Sequence, residues 1–415
     1  MNLTDAFLSG LVAKSQSISD AALRQAELCL LDYQGVVAGG AAEMKKRYPG
    51  WFGGMTSDSG PCTVWGTNRK TSILDAAFLN GFSAHVLELD DGHRLGMIHL
   101  GASIISAVLA VAEAGSLSET QVLKGIVMGY EAAVRSARAL QPGHKVRGYH
   151  VSGTCGVIGS ALGCAFTCAY GPEQLKSTLS CAVTSAAGIL EIQEDASELK
   201  PYNLGCAAMD GVCAATVGRA GLPGPDDILG GKRGLISVMT DTPHPEFLSE
   251  FGQEAFSIEG VYRKLYAACR HCHPAIEAAL YLREQYNLRP ECINSVTVYT
   301  YKLAICGHEH TVIPGVSSAK LSTPFSVALA LVKGSAGFLD YSEENVRNQE
   351  ILALARKVAV LEDTALTSLS PGVRAARVVV TTDDGVWEKQ VDYPKGEPEN
   401  PAGREELLSR MATLA

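Results

Sequence analysis

The sequence predicts a mainly α fold: a large all-helical domain over residues 1–255, a smaller α+β domain over residues 256–396, and a tail, 397–415, that returns to the first. Three observations carry this expectation. The chain has 415 residues, more than one hydrophobic core usually serves, since single cores stop growing near roughly 250–300 residues. As far as residue 255, Ala-, Gly- and Leu-rich segments run at helical periodicity between turn signals such as Ser59-Gly60-Pro61 and Pro223-Gly224-Pro225. Beyond Phe256 the pattern changes. Ile293–Tyr301 alternates apolar and polar residues as a half-buried strand does, and Ala376–Thr382 with Val386–Val391 reads as a hairpin around Asp383-Asp384-Gly385. Helices are expected between them at Pro324–Val332 and Glu343–Ala359, and again after Pro401.

Composition restricts the partners. With 47% hydrophobic and 19% charged residues the chain reads as an ordinary globular protein, and a net charge of −9 with no Lys/Arg-rich run gives no support for nucleic-acid binding. Asp5, Lys14 and Arg24 interrupt the N-terminal apolar pattern, which suits helices rather than a signal peptide. The longest apolar run, Leu100–Ala112, is shorter than the ~20 residues a membrane span needs. A cytoplasmic protein with no membrane partner is expected. The twelve cysteines are scattered, and Cys155, Cys164, Cys168, Cys206 and Cys213 sit among Ala and Gly as small hydrophobes. Cys269-Arg270-His271-Cys272-His273 holds half of a zinc-knuckle pattern, but no second Cys-x-x-Cys pair closes it. His308-Glu309-His310 lacks the i, i+4 spacing of a helical metal motif and is expected in a loop. No residue is assigned to a metal.

Four segments carry chemistry. The first, Glu88 to Ala102, puts Glu88, Asp90, Asp91, His93, Arg94 and His99 just before an apolar helix, a density of titratable groups suited to acid/base work near neutral pH. The alternative is a solvated loop in which Asp90 or Asp91 caps that helix. The second gathers Lys145, Arg147, Tyr149 and His150 ahead of a helix marked by Gly153, Gly156, Gly159 and Gly163. No strand precedes these glycines, so close helix packing explains them better than a dinucleotide loop. The alternative for His150 is a satisfied core histidine. The third is Lys200, whose place before Pro201 predicts extended backbone in a loop feeding an Ala/Gly-rich helix. The fourth, Arg263–Glu277, offers Lys264, Arg270, His271 and His273, with a structural role equally open.

In order and spacing these segments resemble the MmgE/PrpD family over nearly the whole chain. The residues that carry the resemblance are Asn80-Gly81, Ala84-His85 with Glu88–His93, His99-Leu100-Gly101, Gly129-Tyr130-Glu131, Gly148-Tyr149-His150, Lys200-Pro201 and Cys269–Pro274. The resemblance implies an all-helical domain, an α+β lid, a homodimer, an active site between domain and lid, and no nucleotide, flavin or iron–sulfur cofactor. It also implies a small anionic polycarboxylate substrate, dehydrated, decarboxylated or epimerised. The positions matching the decarboxylase branch are Glu88 to Asp91, His99, His150 and Lys200. Two departures remove hydroxyls: the lid tyrosine falls on Phe325 and a threonine on Gly92, which counts against a cis-aconitate decarboxylase.

All three reactions develop charge on a carbon beside a carboxylate, so the site needs cations and proton carriers. Arg147, Lys200 and Arg270 are expected to bind carboxylates, with Glu88 and His273 completing the substrate-binding set. His150 or Tyr149 would carry protons on one face, and Asp90 or Asp91 with His93 or His99 on the other. The leading expectation is a cofactor-independent lyase that dehydrates a hydroxy-polycarboxylate. Epimerisation or decarboxylation of a related polycarboxylate, and a non-catalytic carboxylate-binding protein, are the alternatives.

Overall fold

A computed structural model of the chain describes residues 1–54, 59–194 and 197–414. The fold is mainly α with a smaller α+β part. Two compact units divide the chain: one runs from Met1 to Glu194, resumes from Leu199 to Tyr262 and takes in the helix Arg404–Leu414, and the other is built on Arg263–Gly403.

Four helices of the helical unit start where small polar side chains accept orphan backbone N–H groups. Asn2 caps Leu3–Ser15, Ser19 caps Asp20–Arg47, Ser72 caps Ile73–Val86, and Ser118 forms a capping box with Gln121 at Glu119–Leu140. Ile73–Val86, Gly101–Gly115, Val151–Thr167 and Lys200–Gly218 pack on one another, and Glu119–Leu140 lies along Val151–Thr167. Glycines make that last contact close: a Cβ on Gly159 would stand 2.8 Å from Gly129 O, and one on Gly163 3.1 Å from Gly125 O. Two small ladders were not expected from the sequence. Cys62–Val64 pairs with Arg69–Thr71, and Gly92-His93 pairs with Tyr262-Val261.

In the α+β unit a four-stranded sheet runs in the order Val358–Glu362, Ile293–Thr300, Ala376–Thr382, Gly385–Val391. The hairpin turns at Asp383-Asp384, with Thr382 opposite Gly385. The first pair is parallel, Val296 facing Val358. This corrects the expected helix over Glu343–Ala359: only Gln349–Ala355 is α-helical, and the chain then extends into the edge strand. His273–Tyr286 covers the hairpin strands, and Thr323–Lys333 packs against both that helix and Val358–Glu362. Among the described residues no helix is long and apolar enough to cross a membrane.

Candidate active site

The site is assembled where the apolar helix Ile73–Val86 ends. His85 lies in its last turn, fully buried, and Glu88 follows in the left-handed region at φ 56°. A non-glycine residue there costs about 1–3 kcal/mol unless the surroundings impose it. Flanking Leu87 and Leu89 are both fully buried, which fixes the turn and leaves the Glu88 side chain 13% exposed.

Asp90 then sits between two imidazoles. His85 Nδ1 lies 2.8 Å and His99 Nδ1 3.3 Å from Asp90 Oδ2, with the rings edge to face at 5.0 Å. Burial alone would raise the Asp90 carboxyl, but His85 and His99 outweigh it and hold the group well below the usual carboxylate range. His99 Nδ1 also donates to Asp91 O at 2.9 Å, so its proton belongs on Nδ1 and Nε2 is left basic. The His99 side chain is 16% exposed, whereas that of His85 is closed off entirely. Of the two, only His99 is open to solvent. The same three side chains offer ligand atoms within 4.8 Å of one another, a set that a divalent ion can also use.

Asp91 serves the backbone. Its Oδ1 accepts Gly101 N–H at 2.8 Å and its Oδ2 accepts Tyr130 Oη–H at 2.6 Å. Burial lifts its pKa to about 6 in spite of these two donors. The helix-capping alternative therefore describes Asp91, while Asp90 faces the imidazoles.

Lys200 corrects an expectation. It opens the helix Lys200–Gly218 instead of lying in an extended loop, because Pro201 falls in the first turn, where a missing N–H costs nothing. Lys200 and Asn203, one turn apart, share a face. Lys200 Nζ pairs with Glu88 Oε1 at 2.5 Å, and His85 Nε2 stands 3.6 Å from the same oxygen. Asn203 Nδ2 donates to His150 Nδ1 at 2.8 Å, which leaves the His150 proton on Nε2. Burial, then Lys200, His85 and His99, depress the His150 pKa well below its ordinary value, so it is neutral. His99 N–H donates to Ser152 Oγ at 3.0 Å, tying the loop to the first turn of Val151–Thr167.

Other expected site residues are engaged elsewhere. His93 Nδ1 accepts Gly96 N–H at 3.2 Å and closes the turn before Ile98. Tyr149 stacks on His144 at 4.6 Å. Arg147 is exposed, donating to Val238 O at 2.8 Å and lying 3.5 Å from Asp241. In the α+β unit Arg270 is buried on Glu397 at 2.8 Å and donates to His273 Nδ1 at 2.8 Å, while His273 Nε2–H meets Ala268 O at 3.1 Å. Both side chains thus have internal partners that account for their burial. Phe325 is fully buried against Tyr341, with ring centroids 6.3 Å apart, and a Cβ on Gly92 would collide with Tyr262 Oη. A hydroxyl thus stands beside Gly92 after all, supplied by its strand partner. The sequence reading passed over His85 and Asn203 as site residues. His85 looks like one more helix residue until the turn at Glu88 folds Asp90 back onto it.

Two family models match the chain: the MmgE/PrpD N-terminal domain over residues 11–248 and the MmgE/PrpD C-terminal domain over residues 266–415. The chain belongs to the MmgE/PrpD family. Among proteins similar to this MmgE/PrpD member is the cis-aconitate decarboxylase-like protein oryM of Aspergillus oryzae (strain ATCC 42149 / RIB 40). It is 24% identical over 382 residues, which is 86% of this chain and 78% of that one. The cis-aconitate decarboxylases of Homo sapiens and Mus musculus are 23% and 24% identical over 235 and 222 residues. Those matches take in 55% and 52% of this chain and 48% and 45% of theirs, so this chain spans about half the length of each.

Proposed function

We propose that this MmgE/PrpD protein is a cofactor-independent lyase that removes water from a small hydroxy-polycarboxylate. The observation that carries the reading is the His99 imidazole, held at Nδ1 by Asp90 and the Asp91 carbonyl in a side chain that is 16% exposed. In the proposed reaction Nε2 takes the proton from the carbon beside a carboxylate. Charge then develops on that carboxylate, where the Lys200 ammonium and the His150 Nε2–H donate hydrogen bonds. The proton returns from His99 to the departing hydroxyl, so C–H and C–O bonds break, a C=C bond forms and water leaves. Glu88 orients Lys200, whose ammonium has three donors, and His85 and Asp91 act as positioning residues.

Decarboxylation is the second reading. The names of the three relatives favour it, and the burial of Phe325 weakens the argument from a lost tyrosine hydroxyl. One assay separates the two. Purified protein incubated with citrate, 2-methylcitrate and related hydroxy acids is expected to yield an ultraviolet-absorbing enoate without carbon dioxide, and His99→Gln is expected to lower the rate by about 10²–10⁴-fold. Carbon dioxide from cis-aconitate with no dehydration across the panel would replace this reading with the second, and silence in both assays would overturn both.

A further inference from the structure

The Cys-x-x-Cys segment of the α+β unit is not absorbed by the proposed reaction, and it folds differently from a zinc knuckle. Cys272 is buried, its thiol taking Thr323 Oγ1–H at 3.4 Å and facing Leu321 O at 3.8 Å. Cys269 instead converges with His271 and with His308, 39 residues along the chain, so that one ligand atom from each lies within 4.8 Å of the others. All three are half-buried. Cys269 Sγ and His308 Nε2 are 3.7 Å apart. Two ligands of a tetrahedral zinc ion, with Zn–S near 2.3 Å and Zn–N near 2.05 Å, stand about 3.6 Å apart.

The imidazoles are also oriented as metal ligands are. His308 Nδ1–H donates to Leu321 O at 2.6 Å, which turns the Nε2 lone pair toward Cys269. His271 Nδ1 meets Tyr301 Oη at 2.5 Å, a hydrogen bond that fixes the ring while one of its nitrogens lies within 4.8 Å of the Cys269 and His308 ligand atoms. Backbone bonds hold the frame: Cys269 N–H to Lys320 O at 2.8 Å and Thr323 N–H to His308 O at 2.8 Å. A preset arrangement of one thiol and two oriented imidazoles is poorly suited to hard ions such as Mg²⁺, which take oxygen ligands. We propose that Cys269, His271 and His308 form a three-ligand site for a thiophilic divalent ion of the zinc class. Cys269 binds as the thiolate, its proton passing to solvent, and the fourth tetrahedral position is left to water or another exogenous ligand.

The test is titration of the chelator-treated full chain with Co²⁺, followed by Zn²⁺. One equivalent of Co²⁺ is expected to give a thiolate-to-cobalt charge-transfer band in the near ultraviolet, removed by Zn²⁺ and not produced by Mg²⁺. Cys269→Ser is expected to abolish the band, His308→Gln to weaken Co²⁺ binding by roughly tenfold or more, and Cys272→Ser to leave both unchanged. The carboxylate and imidazoles of the Asp90 cluster contain no sulfur and cannot produce this band. Failure of wild type to give the band, or its survival in Cys269→Ser, would overturn the site. Should circular dichroism show Cys269→Ser to be unfolded, unaltered Co²⁺ affinity in folded His308→Gln would overturn it equally.

Discussion

Adjacent aspartates behave oppositely because their neighbours differ. Asp90 is surrounded by imidazoles that favour its charge, while Asp91 is buried with Tyr130 and Gly101 and is lifted to about 6. An unfolded aspartate titrates near 3.9, so between about pH 4 and 6 the folded state binds the extra proton at Asp91. Its contribution is complete below pH 4 and is lost as pH rises through 6, a difference on the order of 3 kcal/mol at neutrality. Asp91→Asn removes this dependence and keeps the geometry: the amide oxygen accepts Gly101 N–H, and the amide nitrogen donates to Tyr130 Oη. In urea denaturation the variant is therefore expected to gain on wild type from pH 4 to pH 7 by about 1–3 kcal/mol. A difference that stays flat across that range would contradict the raised pKa. Every other ionisable group is present in both proteins, so the comparison isolates residue 91.

At the scale of elements, the seam between Glu119–Leu140 and Val151–Thr167 holds both Tyr130 and His150 in place. Gly159→Ala would ordinarily stabilise a helix by about 1 kcal/mol. Here the new Cβ would stand 2.7 Å from Ala133 Cβ and 2.8 Å from Gly129 O, and backbone cannot step aside as a side chain can. Overpacking of this kind costs about 1–3 kcal/mol, so a net loss of stability is expected, read as a lower melting temperature. These packing glycines were legible from their spacing, as was the hairpin from its Asp-Asp-Gly turn. The edge strand Val358–Glu362 was not, because its parallel partner is 62 residues earlier, Val296 facing Val358, and the preceding helix masks its start. In the candidate site, the density of acids and imidazoles in Glu88–His99 was legible in the sequence, and the fold brings Asp90 and His99 of that loop together with His85. That density did not distinguish His99, which is partly exposed and contacts Asp90, from His93, which closes a turn. Arg147 misled for a related reason: its carbonyl and carboxylate partners come from Val238 and Asp241, some 90 residues on.

At the scale of the whole molecule, the path of the chain makes its last helix part of the site's support. After the α+β unit, Arg404–Leu414 lies on Asp20–Arg47, where Gly35 and Gly39 leave room for Met411 and Leu414: a Cβ at Gly35 would be 3.2 Å from Met411 Cγ, and one at Gly39 3.0 Å from Leu414 Cβ. This seating brings Arg410 into the interior, 2.7 Å from Asp32 Oδ1, with Nη1 donating to Leu89 O at 3.4 Å. Leu89 directly precedes Asp90, so the guanidinium links a buried carboxylate to the backbone of the loop that carries Asp90 and His99. Removing one member of a buried ion pair costs about 3–5 kcal/mol because the other charge stays behind, whereas replacing both with apolar or neutral groups is often nearly neutral. Arg410→Ala is expected to lose about that much stability, and Asp32→Asn combined with Arg410→Met to recover most of it. Turnover separates the two functions of Arg410. If it also steadies the loop, the double variant regains its urea midpoint but not its full kcat, because the contact with Leu89 O is still missing; full recovery of both would reduce Arg410 to the partner of Asp32 alone.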